Sequence, residues 1–252
     1  MRYILFVIVF FVANSLCAQE TKNQFTYKIY GGVNETHIKV VRTDFKNYKY
    51  SDGIGWQAGI ATEYQPLLFN YFLYINVGLK NFSYSRDTIY TSDTVLSYNL
   101  KPLFLDVPFG IGFRFPLKNT KYTFKVYGGI NTLVGLGGKL QTLQLYYNNL
   151  NIDPNLPAGL QKRLLSETGL NFGDRNKKTF IFDYATTNWS LQLGTGIDLK
   201  RTAELSLFYN VGLTNVLPGR NITNEIQKLR VLELNLKIDF PNDVLNKHVA
   251  KK

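Results

Sequence analysis

The chain is poor in cysteine, histidine and charge. One cysteine among 252 residues excludes a disulfide scaffold. Two histidines, His37 and His248, are too sparse for a zinc-type cluster. Charged residues make up 19%, below the usual quarter. Past the N-terminus there is no run of about 18 apolar residues, so no later helix of this chain spans a membrane. There is no phosphate-binding Walker loop either. Gly135-Leu136-Gly137-Gly138 lacks the Gly-Lys-Ser/Thr ending and reads as a flexible strand-to-loop exit. No cofactor is expected. Aromatics, by contrast, reach 15%, with 17 Tyr and 18 Phe. A chain so rich in aromatic and β-branched residues does not stay disordered. A globular chain of one or two domains and a β-barrel remain.

Residues 1–18 read as a signal peptide. Arg2 supplies the positive start, Ile4–Ala13 the short apolar core, and Leu16-Cys17-Ala18 a small residue at the cleavage position. Leu16 is a poor residue before a lipid-modified cysteine, so cleavage after Ala18 is expected. That cleavage removes the only cysteine and, with Arg2, one of the +11 charges, leaving 234 residues at +10. A cysteine-free exported chain suits an oxidising envelope.

Period-two alternation recurs in eight segments, at about 25–34, 53–65, 70–84, 100–115, 121–136, 183–200, 203–214 and 228–240. Short turns (Pro66–Phe69, Pro116–Thr120, Arg201–Thr202) alternate with long polar segments at 35–52, 85–99, 137–182 and 215–227. That pattern predicts an all-β, eight-stranded antiparallel up-and-down transmembrane β-barrel over residues 19–240, with a periplasmic tail at 241–252. In the longest segment, Asn155-Leu156-Pro157 followed by Leu160, Leu164 and Leu165 fits a short surface helix as well as an irregular loop. Thr26-Tyr27-Lys28-Ile29-Tyr30-Gly31-Gly32-Val33-Asn34 recurs as Thr123-Phe124-Lys125-Val126-Tyr127-Gly128-Gly129-Ile130-Asn131, four strands later. The recurrence implies two similar four-strand halves.

One face of each strand is aliphatic and aromatic, as in Leu205, Leu207, Tyr209, Val211 and Leu213. The other face mixes Gly, Asn and charge. Gly weakens a strand and packs nothing, so glycines among charges fit a crowded interior better than a solvated surface. The apolar face then meets lipid. The polar face carries Lys28, Lys80, Arg114, Lys125, Lys200 and Lys237 against Glu63, Asp106, Asp198, Glu204, Glu233 and Asp239. Buried charges are costly unless paired, so this balance predicts a salt-bridged interior. Tyr64, Phe69, Tyr71, Phe115, Tyr122 and Phe240 near the short turns, and Trp56, Tyr84, Tyr184 and Trp189 near the long loops, fit two boundary girdles.

With Leu105-Asp106-Val107-Pro108-Phe109, Tyr30-Gly31-Gly32 and the closing strand Leu232–Phe240, the chain resembles the PorT-like outer-membrane β-barrel family of Bacteroidota. The resemblance implies an integral outer-membrane protein, no catalytic residues, and for some members a link to protein secretion. It also implies that Phe240 acts as an assembly signal, although twelve residues follow it. The expected partners are outer-membrane lipid and lipopolysaccharide, the barrel-assembly machinery and other envelope proteins, not nucleic acid. Three other readings make different predictions. A narrow porin-like channel would conduct. A soluble barrel binding a hydrophobic ligand would bury Leu205, Leu207, Val211 and Leu213. A lipid-modifying enzyme would use His37 with Ser92 and Asp93.

Overall fold

In a computed structural model, residues 24–42, 48–66, 70–91, 94–117, 122–148, 159–170, 186–199, 202–216 and 226–240 are described. The expected signal peptide and tail lie outside them, as do Lys200, Ser92, Asp93, Phe69 and Tyr184. The strands are β1 (Gln24–Arg42), β2 (Tyr48–Gln65), β3 (Tyr71–Asn81), β4 (Tyr84–Thr91), β5 (Thr94–Pro116), β6 (Thr123–Asn148), β7 (Gly159–Gly169), β8 (Thr187–Leu199), β9 (Ala203–Gly212) and β10 (Ile226–Asp239). Every pairing is antiparallel. The ladder runs β1-β2-β3-β5-β6-β8-β9-β10 and closes where β10 pairs with β1, from Lys28 opposite Asp239 up to Arg42 opposite Ile226. This is an eight-strand hydrogen-bonded ring, and a closed ring leaves no sheet edge in the lipid.

Two elements are additional to the ring. β4 continues the wall begun by β3, pairing with β2 and β5 after a break at Phe82–Ser83. Much of the sequence expected as loop at 35–52 and 85–99 is therefore strand that extends the barrel outward. The outward face of these stretches is polar, with Glu35, His37 and Lys39, and their inward face mixes Thr36 and Arg86 with Ile38 and Tyr98, so the apolar-outward alternation of the lower strands does not continue there. β7 lies outside the ring and pairs with the far end of β6. Leu160, Leu164 and Leu165 thus belong to a strand, not a helix: a register shift opposite Thr142/Leu143 adds Leu165 as an extra residue, leaving Leu164 and Leu165 both exposed. Gly135–Gly138 is likewise no exit. Leu136 is the extra residue of a bulge between Gly135 and Gly137, and β6 continues to Asn148. Gly138 has φ +151°, and a Cβ there would meet the Lys101 carbonyl at 2.6 Å.

Alternation decides what each side meets. Leu205, Leu207, Val211 and Leu213 are 36–47% exposed on the outside, which removes the soluble, ligand-filled barrel. Trp56, Trp189, Phe115, Tyr122 and Phe240 also face outward. Tyr84 does not, and is buried inside. It shares the even parity of Tyr74 and Lys80, and parity, not nearness to a loop, sets the side a residue faces.

Candidate functional site

The interior is built in layers from the short-turn end upward. The repeated segments set the first layer. Lys28 on β1 and Lys125 on β6 both reach between Glu63 on β2 and Glu204 on β9. Lys28 Nζ lies 3.3 Å from Glu63 and 2.7 Å from Glu204; Lys125 Nζ lies 3.1 Å and 2.8 Å from the same two carboxylates. The nine-residue repeat thus brings two equivalent lysines to one pair of glutamates. Lys237 joins Glu204 at 2.8 Å, and Arg114 joins Glu63 at 2.6 Å. Asp198 accepts from Lys125 at 2.9 Å, and Asp239 lies 3.7 Å from Lys28. The Tyr127 hydroxyl donates to Glu204 at 2.5 Å. Four cations face four anions, so the layer is neutral.

Above it lie four rings, Phe72, Tyr74, Tyr127 and Phe208. Tyr127 packs edge-on against Phe72 and Tyr74, with centroids 5.4 Å apart in both pairs. The layer below caps these rings with charge: Arg114 stands 4.9 Å over Phe72, and Lys237 stands 4.6 Å over Tyr127. Glycines on the facing strands make the space. A Cβ on Gly112 would lie 2.2 Å from Phe72 Cζ, and one on Gly194 would lie 2.2 Å from Phe208 Cδ1.

The third layer centres on Lys80, which bonds Asp106 and Glu233 at 2.7 Å each. Gln57 donates to Glu233 at 3.1 Å and to Asn235 at 2.5 Å; Asn210 also donates to Glu233. A cavity beside Lys80 and Glu233, lined by Asn131, Ser190 and Asn210, has room for about one water. The outermost layer is apolar: Ile38, Phe82, Tyr84, Leu100, Phe104, Leu133, Leu140, Leu170, Val216, Leu229 and Val231 pack across the upper barrel.

Of the residues singled out in the sequence, Lys28, Glu63, Arg114, Lys125, Asp198, Glu204, Lys237 and Asp239 meet in the first layer, and Lys80, Asp106 and Glu233 meet in the third. Lys200 lies outside the described residues. Three features were not read from sequence. Arg86 is buried inside, over the Tyr50 ring at 5.8 Å, although its segment looks like loop. Gln57 completes the Glu233 cluster beside Asn235, which the alternation of the last strand already sets on the polar face; parity on β2 could have found Gln57 as well. The apolar upper plug is the third. It shares the polar face's parity, and only the rise of the wall above the lipid explains it. His37 lies on β1, not in a loop, and faces outward, with its Nδ1 2.7 Å from Asp52 on β2. Among the described residues no group of three or more His, Cys, Asp or Glu is placed to hold a metal.

A closed ring, an apolar outer face and an ion-paired core define an integral membrane β-barrel. The chain belongs to the outer membrane protein β-barrel domain family, whose sequence model matches residues 17–217. It is therefore an outer-membrane β-barrel protein of bacterial type. Among solved structures it is similar to Ail, the attachment invasion locus protein of Yersinia pestis. That structure, in complex with the heparin analogue sucrose octasulfate, has 10% identity and a TM-score of 0.42, covering 86% of this chain and 99% of that one. Neisserial surface protein A is also similar, at 8% identity and TM-score 0.37, covering 87% and 100%. OprG from Pseudomonas aeruginosa is 12% identical, with TM-score 0.32, covering 85% and 93%. Among curated proteins, none matches the sequence.

Proposed function

We propose that the protein is a closed, non-conducting and non-enzymatic barrel that serves as a structural and binding component of the envelope, with its working surface at the long-loop end. In this reading it is PorT-like, from a member of the Bacteroidota, and tied to protein secretion. Its partners are lipopolysaccharide, the barrel-assembly machinery and other envelope proteins. The layered interior carries the proposal. An ionic layer, a ring layer, the Lys80 cluster and an apolar plug fill the axis in turn. Eight strands enclose a space that side chains just fill. In planar bilayers the folded full-length chain is expected to give no single-channel conductance; steps of stable conductance would refute the closed barrel.

Phe240 is proposed as the assembly signal. Its backbone N–H donates to the Tyr27 carbonyl at 2.9 Å, beside the β10–β1 seam, and its ring faces outward. Phe240→Ala keeps the backbone bond and removes the ring. It is expected to lower the amount of folded, heat-modifiable protein in the outer membrane. Wild-type levels would rule the signal out.

A further inference from the structure

The seam where β1 meets β10 brings basic residues opposite one another on its outer face. Four outward rows are apolar or mixed: Ile29 opposite Ile238, Gly31 opposite Leu236, Val33 opposite Leu234, and Glu35 opposite Leu232. The next two rows are basic on both strands: His37 opposite Arg230, and Lys39 opposite Lys228. Like charges directly opposite one another in a sheet destabilise it. Among the described residues only His37 of these four has an acidic partner. His37 bonds Asp52, but Lys39, Lys228 and Arg230 have no carboxylate within ion-pair distance among the described residues. Glu35, one outward row below, is the other acid facing the patch.

Height supplies the occupant. At about 3.3 Å per residue, Arg230 stands about 7 Å along the strand above Leu232, and Lys228 about 13 Å above it. Trp56, opposite Val33 on β2, is the boundary aromatic at this seam. Arg230 is flanked on β9 by Val211, and Leu213 beyond it is exposed. The cations therefore begin where the apolar belt ends, with their stems over hydrocarbon and their heads at headgroup level.

We propose that His37, Lys39, Lys228 and Arg230 form a binding site for the phosphorylated headgroup of an outer-leaflet glycolipid. The site rests on the membrane placement of the barrel and not on its closed interior. A guanidinium and two ammonium groups clustered on one face match a phosphate-bearing headgroup, and the lipid's acyl chains lie along Leu232, Leu234 and Val33.

The test uses the folded full-length protein in neutral-lipid nanodiscs, titrated with lipid A carrying two phosphates or with lipid A stripped of them. The wild type is expected to prefer the phosphorylated lipid. The triple variant Lys39→Gln, Lys228→Gln, Arg230→Gln is expected to lose about a hundredfold in affinity, the effect of three surface cations. Lys101→Gln with Lys139→Gln, exposed cations elsewhere, should change nothing. A sign reversal sharpens the test. Lys228→Glu should stabilise the barrel in lipid-free micelles, by ending the repulsion with Lys39, while weakening binding of phosphorylated lipid A. Equal binding by wild type and triple variant, equal binding of both lipids, or displacement by millimolar inorganic phosphate would each overturn the proposal. Heat-modifiable migration verifies that each variant is folded. A wild type recovered from cells in the soluble fraction would instead defeat the membrane placement.

Discussion

At the scale of residues, Glu204 is the centre of the first layer. Its side chain is fully buried and takes three lysines, Lys28, Lys125 and Lys237, within 2.8 Å, plus the Tyr127 hydroxyl. Taking ions out of water is expensive, and each of these lysines is compensated only by its neighbours. Glu204→Gln leaves the same lysines with one carboxylate fewer, so it is expected to cost about 3–5 kcal/mol, the usual effect of removing one partner from a buried pair. Adding Lys237→Met removes the surplus cation and should recover part of the loss. Urea unfolding in lipid vesicles, followed by the fluorescence of Trp56 and Trp189, measures both. A Glu204→Gln barrel as stable as wild type would mean that water reaches this layer. By contrast, the pair formed by Lys139 and Glu167 at 2.8 Å on β6 and β7 is open to solvent and contributes little to the fold.

At the scale of elements, the strands are matched to one another through missing side chains. β5 presents Gly112 to Phe72 on β3, and β8 presents Gly194 to Phe208 on β9. Neither neighbour can yield, since each ring is buried among the others. Gly112→Ala is expected to destabilise the barrel by about 1–3 kcal/mol, the range for overpacking a filled core. Phe72→Leu in the same chain should restore part of that, because the shorter side chain clears the new methyl. Unfolding midpoints of the two variants decide it; no rescue would place the clash elsewhere. β5 also shows how one residue edits a ladder. Pro108 lacks an N–H, and the β3 register that pairs Ile75 with Phe109 resumes only at Gly78 with Asp106.

At the scale of the whole molecule, the barrel is an inside-out protein over part of its height and an ordinary one above it. Within the lipid the aliphatic face points outward and the charges inward. In the upper wall, β4, the far end of β6 and β7 extend the sheet, and the inward face turns apolar around Phe82, Phe104 and Leu140. The solvent changes from hydrocarbon to water, and the core follows it. A charge on the lipid face should therefore be costly where one on the upper wall is not. Leu207→Arg is expected to lose about 2–4 kcal/mol, the cost of an arginine near the bilayer midplane. The same substitution at Leu164, exposed on β7, should leave stability unchanged. Vesicle unfolding of the two variants compares them directly, and equal effects would contradict the lipid-facing assignment of β9.

Sequence alone determined the parity of each strand. A period of two survives any tertiary arrangement, and a residue of one parity cannot change sides without its whole strand. Hence Leu207 and Glu204 were legible as opposite faces, the repeat as two matched halves, and the short turns as one end of a barrel. Tertiary structure decided what parity cannot carry. The meeting of Lys28 with Glu204, 176 residues apart, depends on which strands close the ring. The burial of Arg86 and Tyr84, and the strand in place of a helix at 159–169, depend on walls that rise beyond the lipid. There both faces are polar or mixed, so the local pattern no longer records which side is in. The stacking of Lys39 on Lys228 is likewise a matter of register between the first strand and the last, set only when the ring shuts.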